Sequence, residues 1–333
     1  MSTFYNLALK CLKLLPPETA SKLSLYFLKL IHIIFIRNFE SDLKINHSSP
    51  VQMGALKFRN PLGVAAGLDK EGKYFSAIGS LGFSFIEVGT FTPYAQDGND
   101  SPRIKRLNNE KSLINRLGFN NPGIIQGVKN IKNNKKYFSG ILGVSIGKNK
   151  ETKLEDAYKD YLFCLRHCFE ISDYVAVNIS SPNTEDLREL SSEGFIFDLT
   201  AKINEEALNL KNTFGKKVPI MLKLSPDEDD KNLENIITSA SINGFDGFIL
   251  TNTMQGERKG ISGGISGELL KDKSVNMLKK VKNIVHDEKI LISSGGISTK
   301  NDLEERIDNG AKLIQIYTSF VYKGPKIVKE LLN

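Results

Sequence analysis

The chain has 333 residues, 45 Lys and Arg against 38 Asp and Glu for a formal net charge of +7, 40% hydrophobic residues, 27 Gly, 11 Pro and 3 Cys. These proportions exclude a collagen-like, a wholly disordered and a disulfide-scaffold protein, and so few cysteines point to a reducing compartment. The length fits one large α/β barrel or two ordinary domains. No uninterrupted apolar run reaches the ~18 residues of a standard transmembrane helix, and the modest basic excess leaves a phosphate ligand, an anionic membrane surface and nucleic acid open as partners.

Two helix-like stretches, Phe4 to Leu15 and Thr19 to Phe39, are separated by Pro16-Pro17, which stops one helix and can open the next. The second carries Leu23, Leu25, Tyr26, Phe27, Leu28, Leu30, Ile31, Ile33, Ile34, Phe35 and Ile36, an apolar surface wider than the ~100° stripe of a surface helix. Lys22, Lys29, His32 and Arg37 interrupt it. Such a segment is too polar to span a bilayer and too apolar to face water. Residues 1–45 therefore read as a helical hairpin lying on a membrane, aided by Lys10, Lys13 and Lys44, or else packed wholly against its own domain. A cleaved signal peptide fits less well, because the apolar part starts late and no small-residue cleavage site follows.

From about residue 60 the pattern becomes regular. Short apolar or β-branched runs occur at Leu62–Ala66, Phe83–Val88, Ile141–Ile146, Tyr174–Ile179, Val218–Leu224, Gly247–Thr251, Ile290–Ser293 and Lys312–Tyr317. Helix-like stretches follow them at Tyr74–Leu81, Gly123–Asn130, Leu154–Glu170, Ile196–Phe214, Asp229–Ile242, Leu269–His286, Lys300–Asp308 and Pro325–Leu332. Eight strands alternating with eight helices predict an α/β protein, a (β/α)8 TIM barrel over residues 46–333. A doubly wound sheet competes less well, since no G-x-G-x-x-G follows the first strand. The stretch from Thr90 to Asn121 is longer than an ordinary βα loop, as functional loops tend to be.

A barrel of this kind builds its site from strand C-terminal ends. Those ends read Ala65–Lys70, Glu87–Thr90, Ser145–Asn149, Asn178–Asn183, Lys223–Pro226, Thr251–Thr253, Ser294–Gly296 and Tyr317–Thr318. Amides, hydroxyls and lysines gather at all eight, although any one alone could be turn chemistry. Ser293–Ile297 and Tyr317–Ser319 form a candidate phosphate cradle, with Gly263–Gly267 able to close over the same ligand; plain glycine turns are the alternative. A phosphate together with Lys223 inside the barrel points to FMN, whose reduced pyrimidine edge a lysine would stabilise. Ser181, flanked by Asn178 and Asn183, is the candidate base, but an isolated serine needs a proton exit and a partner for developing charge. His32, His47, His167 and His286 all fall away from the strand ends, which argues against a Ser-His-Asp arrangement. Cys164, His167 and Cys168 share a helix face but have no second ligand pair, so buried thiols are expected there and no metal. The Lys129–Lys136 run lacks interleaved aromatics and reads as a solvated helix end, not a nucleic-acid patch.

At these strand ends the sequence resembles dihydroorotate dehydrogenases of the membrane-associated, quinone-reducing class. The likeness rests on Asn60–Lys70, Glu87–Thr90, Ile114–Asn120, Ile146–Asn149, Asn178–Asn183, Gly263–Gly267 and Gln315–Tyr317, and it extends over essentially the whole chain, hairpin included. It implies oxidation of dihydroorotate to orotate, with one FMN per chain as hydride acceptor and a quinone as final acceptor. By the same resemblance Ser181 is the base, and Thr184 and Phe119 shape the proton's exit. Substrate falls to Lys70, Asn115, Arg116, Leu117, Gly118, Phe119, Asn178, Asn183, Asn252 and Thr253. Flavin falls to Ala66, Gly67, Leu68, Asp69, Lys70, Thr90, Ser145, Asn178, Lys223, Thr251, Gly267, Gly296, Tyr317 and Thr318. Quinone would enter under the hairpin past Arg106 and Tyr317. Soluble relatives use Cys as base and lack the hairpin, so Ser181 and residues 1–40 point the same way. Two positions depart from the family pattern: Ser145 stands where Asn is common, and Ser21 where many members carry His. The absence of an arginine-rich transit segment favours the cytoplasmic side of a bacterial inner membrane, with peripheral attachment; a monomer is compatible with the resemblance, and no nucleic-acid partner is expected. The rival readings are another FMN barrel, such as a tRNA dihydrouridine synthase, which would carry a Cys acid and an RNA-binding domain, and a non-enzymatic peripheral membrane protein.

Overall fold

The computed structural model describes residues 12, 14–35, 50–181, 183, 190, 192–286 and 288–333. Most of the first predicted helix, residues 36–49 and Thr184 lie outside these. Helix α1 (Pro17–Phe35) starts directly after Pro16, with Glu18 in its first turn. One side of α1 docks: Ala20 and Leu25 are buried and Leu28 packs on the core. The Lys29 ammonium sits 5.8 Å above the Tyr74 ring. The other side leaves Tyr26, Phe27, Leu30, Ile31, Ile33 and Ile34 exposed. No helix among the described residues is long and apolar enough to cross a membrane.

The eight predicted strands form the closed parallel barrel. In chain order they are β3 (Leu62–Val64), β4 (Phe85–Phe91), β7 (Ile141–Ile146), β8 (Tyr174–Asn178), β9 (Ile220–Leu224), β10 (Gly247–Leu250), β13 (Ile290–Ser294) and β14 (Leu313–Ile316), and β14 pairs with β3 to close the ring. Alternation along each strand sorts side chains into two cores. Ile86, Val88, Leu142, Val144, Val175 and Leu222 face the surrounding helices, whereas Phe85, Tyr174, Met221, Ile249, Ile292 and Leu313 fill the cylinder. A short hairpin, β1 (Val51–Met53) and β2 (Leu56–Phe58), adds Met53 and Phe58 to the inner core. Gly63 and Gly143 leave room for the rings of Phe85 and Tyr174, which a Cβ at either position would strike.

The outer layer comprises α2 (Phe75–Gly79), α3 (Ile124–Lys135), α4 (Ala157–Cys168), α5 (Glu193–Phe214), α6 (Asp230–Ile242), α7 (Lys271–Ile284), α8 (Lys300–Asp308) and, beyond a short α9 (Thr318–Lys323), α10 (Lys326–Leu332). Helix α8 opens with a capping box between Thr299 and Asp302. Cys164 and Cys168 are buried in the core, and the exposed His167 ring bonds the Phe163 carbonyl at 2.8 Å. Lys132 and Lys135 lie in the last turn of α3, a helix end.

One element differs from the sequence reading. The supposed long loop after β4 contains β5 (Ile104–Leu107) and β6 (Ser112–Asn115), and the glycine-rich cover contains β11 (Met254–Arg258) and β12 (Ile261–Gly267). Together they make a four-stranded antiparallel sheet, β11-β12-β6-β5, beside the barrel mouth. Its strands are short and poor in apolar alternation, and β6 and β12 find each other across nearly half the chain. Gly263 is required by that pairing, because a Cβ there would collide with the Asn115 carbonyl.

Candidate active site

A cavity of about 400 Å³ opens at the C-terminal ends of the barrel strands, between them and the four-stranded sheet. That is inside the ~300–1,000 Å³ range of small-ligand sites. Its lining includes Ala66, Gly67, Lys70, Thr90, Asn115, Leu117, Gly118, Phe119, Asn178, Ser181, Asn183, Lys223, Thr251, Asn252, Thr253, Gly267, Gly296, Tyr317 and Thr318, which the sequence reading had named. It also includes Ser319 of the candidate phosphate cradle, and Gln315 and Lys111, which that reading had not named as site residues.

The floor is a charged cluster inside the cylinder. Glu87 on β4 is fully buried, and its carboxylate takes Lys223 Nζ at 3.4 Å, Tyr174 OH at 3.0 Å and Gln315 Nε2 at 2.8 Å. Burial and the adjacent carboxylate push the Tyr174 phenol well above its ordinary range, so it stays a donor. The pattern Phe85-in, Ile86-out, Glu87-in explains how strand alternation delivers an acid into the barrel. A glutamate at an inward strand position was the signal by which sequence could have revealed this partner of Lys223.

Above the floor lies a belt of amides and hydroxyls. Asn178 Nδ2 donates to Thr90 Oγ1 at 3.2 Å, and Thr90 Oγ1 is 2.9 Å from Ser145 Oγ. Asn252 Nδ2 donates to Asn178 Oδ1 and to Ser180 Oγ, both at 3.2 Å, while Ser180 Oγ donates to the Lys223 carbonyl at 2.7 Å. Asn183 Nδ2 donates to Asn115 Oδ1 at 3.0 Å, and the Asn183 N–H reaches Ser181 Oγ at 3.3 Å. Lys70 Nζ donates to Asn120 Oδ1 at 3.0 Å. Burial, reinforced by the nearby Arg103 charge, lowers the Lys70 pKa to about 7.

The far end is an anion cradle. Gly295 and Gly296 have φ of 108° and 70°, conformations that glycine tolerates, and a Cβ on Gly296 would strike the Lys271 backbone. Buried Arg306 fixes this loop by donating to Ser274 Oγ, Ser293 Oγ and the carbonyls of Lys271 and Gly295. Thr318 Oγ1 lies 2.8 Å from Ser266 Oγ. Among the described residues, three buried polar atoms on cavity residues have no protein partner: Gln315 Oε1 near the floor, Asn183 Oδ1 in the belt and Ser319 Oγ. Buried polar atoms are normally satisfied, so these mark where a ligand would supply bonds.

Five predicted residues do not line the cavity. Asp69 accepts the backbone N–H groups of Lys73, Tyr74 and Phe75 at the start of α2, and Leu68 packs in the core. Ser145 Oγ lies 2.9 Å from Oγ1 of Thr90, which does line the cavity. Arg116 lies in the loop after β6, its guanidinium donating to the Asp100 carbonyl. Arg106 donates to the carbonyls of Leu15 and Leu12 and so anchors the chain just before α1. Tyr317 does line the cavity, and burial pushes its phenol up to about 12. Among the described residues no group of His, Cys, Asp and Glu is placed to hold a metal.

A family model described as dihydroorotate dehydrogenase matches residues 48–333. The chain is 41% identical over 293 residues to a dihydroorotate dehydrogenase (quinone) of Aliivibrio fischeri, covering 86% of this chain and 87% of the relative. A Shewanella sediminis protein of the same name is 39% identical over 343 residues, covering 99% and 98%. Among solved structures, DHODH from Eimeria tenella in complex with ferulenol superposes with a TM-score of 0.82 at 29% identity, covering 93% of this chain and 89% of that one.

Removing one partner of a buried ion pair strands the other charge. Glu87→Ala is therefore expected to lower stability by about 3–5 kcal/mol, measured by denaturant unfolding. A loss no larger than that of a typical surface substitution would contradict the pairing.

Proposed function

The chain belongs to the dihydroorotate dehydrogenase family, and from that premise we propose how its own residues carry out the reaction. The reaction is the oxidation of dihydroorotate to orotate in pyrimidine biosynthesis, with a quinone as final electron acceptor. FMN, one per chain, would supply the redox chemistry when bound, as hydride acceptor for dihydroorotate and electron donor to quinone. Its fit is supported by the cavity's size, the glycine cradle at one end, the partnerless Gln315 Oε1 and Ser319 Oγ, and Lys223 at the floor. Residues 46–333 form the catalytic barrel in this reading, and residues 1–45 the hairpin for quinone access.

The observation that carries the assignment is the convergence of Ser181, Lys70 and five asparagines, Asn120 among them, on one cavity above Lys223. Asn115, Asn178, Asn183 and Asn252 with Thr253 hold the planar ring, and Asn183 is the most telling of them. Its Nδ2 is spent on Asn115, which leaves Oδ1 free to accept a ring N–H. Lys70 meets the carboxylate. The loop from Arg116 to Phe119 closes this side; Phe119 sits at φ 52°, and its ring fills the space beside Gly147. Ser181 takes the C5 proton while its own hydroxyl proton leaves along the exit that Phe119 helps to shape. The Asn183 N–H directed at its oxygen is placed to hold the negative charge that gathers there as the hydroxyl proton departs.

Quinone approaches between α1 and the barrel, past Arg106 and Tyr317. Ser21, half-buried on α1, offers a small hydroxyl on that side. The exposed apolar face of α1 supports peripheral attachment to a membrane, which this reading takes to be the cytoplasmic side of a bacterial inner membrane.

Anaerobic dihydroorotate should bleach the flavin band of the wild-type protein, and added quinone should restore it. Ser181→Ala should stay yellow but bleach ~10²–10⁴-fold more slowly; a near-wild-type rate would remove Ser181 as the base.

The lowered Lys70 pKa predicts the pH dependence of orotate affinity. Below about 7 the free enzyme presents an ammonium to the carboxylate. Above it, binding the anion must draw in a proton, so the dissociation constant should rise by up to roughly tenfold per pH unit. Flavin difference spectra from pH 6 to 9 would read this, and Lys70→Met should give a flat, weak profile; an equally steep slope in the variant would contradict the role.

Phe27→Glu with Ile31→Glu should reduce co-sedimentation with vesicles of anionic phospholipid while FMN content stays unchanged. Undiminished vesicle binding would place the membrane contact elsewhere.

A further inference from the structure

Arg103, immediately before β5, makes a set of bonds that the proposed mechanism does not use. Its guanidinium grips the Glu18 carboxylate of α1 through Nε, at 3.2 and 3.1 Å, and through Nη2 at 2.7 Å. The remaining arm, Nη1, donates to the carbonyls of Asp97 at 2.5 Å and Asn99 at 3.1 Å. The side chains of Arg103 and Glu18 are only 12% and 24% exposed, so water screens the pair less than an ordinary surface bridge. A planar fork with donors on both edges suits this double grip, which a point-charge lysine could not make.

Asn99 continues the chain of contacts into the site. Its N–H bonds the Leu117 carbonyl at 3.1 Å, and its Nδ2 donates to the carbonyls of Arg116 at 3.0 Å and Asn183 at 3.2 Å. The Asn183 N–H in turn reaches Ser181 Oγ. The Arg103 carbonyl itself accepts the Arg116 N–H at 2.8 Å. Gly98 and Gly118 let these strands of chain approach, since a Cβ on Gly98 would meet the Leu117 carbonyl and one on Gly118 would meet Asn99 at 2.9 Å.

We propose that Arg103 is a positioning residue that fastens the substrate-side loops, through Asn99, to helix α1, so that Glu18 on α1 helps set the geometry of Asn183 and Ser181. This rests on the substrate reading given above. Helix α1 is then a structural part of the dihydroorotate site as well as a cover for quinone, and coupling between the two is reciprocal: whatever loosens α1 weakens substrate binding, and substrate binding firms α1.

The test uses FMN-bound, full-length wild type, Arg103→Gln, Glu18→Gln and the charge swap Glu18→Arg with Arg103→Glu. Amide hydrogen exchange at Asn99 and Arg116 is read without ligand, and the orotate dissociation constant is read from the flavin difference spectrum. Arg103→Gln should exchange faster at both amides and bind orotate roughly tenfold more weakly, with FMN content unchanged. Glu18→Gln should move both readouts in the same direction, and it decides the matter if Arg103→Gln does not fold. The swap should not rescue either readout, because a glutamate at 103 has no donors for the Asp97 and Asn99 carbonyls. Unchanged exchange and orotate affinity in the single variants, or rescue by the swap, would overturn the proposal. Wild type that fails to bind orotate while the exchange pattern holds would instead count against the substrate reading and leave the clamp standing.

Discussion

A lysine ammonium held 3.4 Å from a glutamate, both sealed inside the barrel, is the constraint to which the rest of the site is fitted. Desolvating two charges is costly unless their remaining bonding capacity is used. Glu87 uses its capacity on Tyr174 and Gln315 as well as Lys223. Those partners come from β8, β14 and β9, so the carboxylate ties strands from different parts of the ring to one point. The cluster also divides the cylinder. Below it the interior is closed by Phe85, Met221, Ile249 and Leu313, and above it begin the amides that face the cavity. A proposed flavin would thus rest on a polar floor over an apolar plug.

The barrel was legible in the sequence because its eight strands are short, mainly apolar or β-branched runs bounded by polar chemistry, close to the pattern of strands buried on both faces. The chemical residues were legible because βα ends sit at one face whatever the surrounding detail, which is why Ser181, Lys70, Lys223 and the asparagines arrive in one cavity. The antiparallel sheet at the mouth was not legible. Residues such as Lys105, Arg106, Ser112 and Asn115 give β5 and β6 little apolar alternation, and β12 supplies glycines where a strand normally has branched side chains. Their pairing is set by tertiary placement, which no local pattern records. Asp69 and Ser145 illustrate a second limit. Motif position alone brought both forward as cofactor contacts, yet one is taken by the N–H groups at the start of α2 and the other lies beside Thr90, which does line the cavity.

The belt above the floor is ordered before any ligand arrives. Asn178, Asn252, Thr90 and Ser180 orient one another, so the donors and acceptors that would meet a planar ring are fixed by the protein's own bonds. Such preorganisation removes part of the entropy that substrate binding would otherwise cost. It also explains why the unpartnered atoms are informative: with most of the belt satisfied internally, Asn183 Oδ1 and Gln315 Oε1 stand out as vacancies in a nearly complete network.

Helix α1 resolves two demands that pull apart. In the proposed reading a lipid-soluble oxidant calls for apolar surface at the mouth, and the exposed Tyr26, Phe27, Ile33 and Ile34 of α1 would provide it. A charged, water-soluble substrate calls for a closed polar chamber a short distance away. The helix meets both by being asymmetric: Leu25 and Leu28 bind it to the barrel, and Glu18 at its first turn faces inward to Arg103. An acidic residue at a helix N-terminus is favoured by the helix dipole, which strengthens the same carboxylate that grips the guanidinium. The greasy face and the ionic foot therefore belong to one element by physical necessity. If only apolar contacts held it, lipid would compete for all of them; an ion pair at the protein-facing end is the kind of attachment that a hydrocarbon environment does not dissolve.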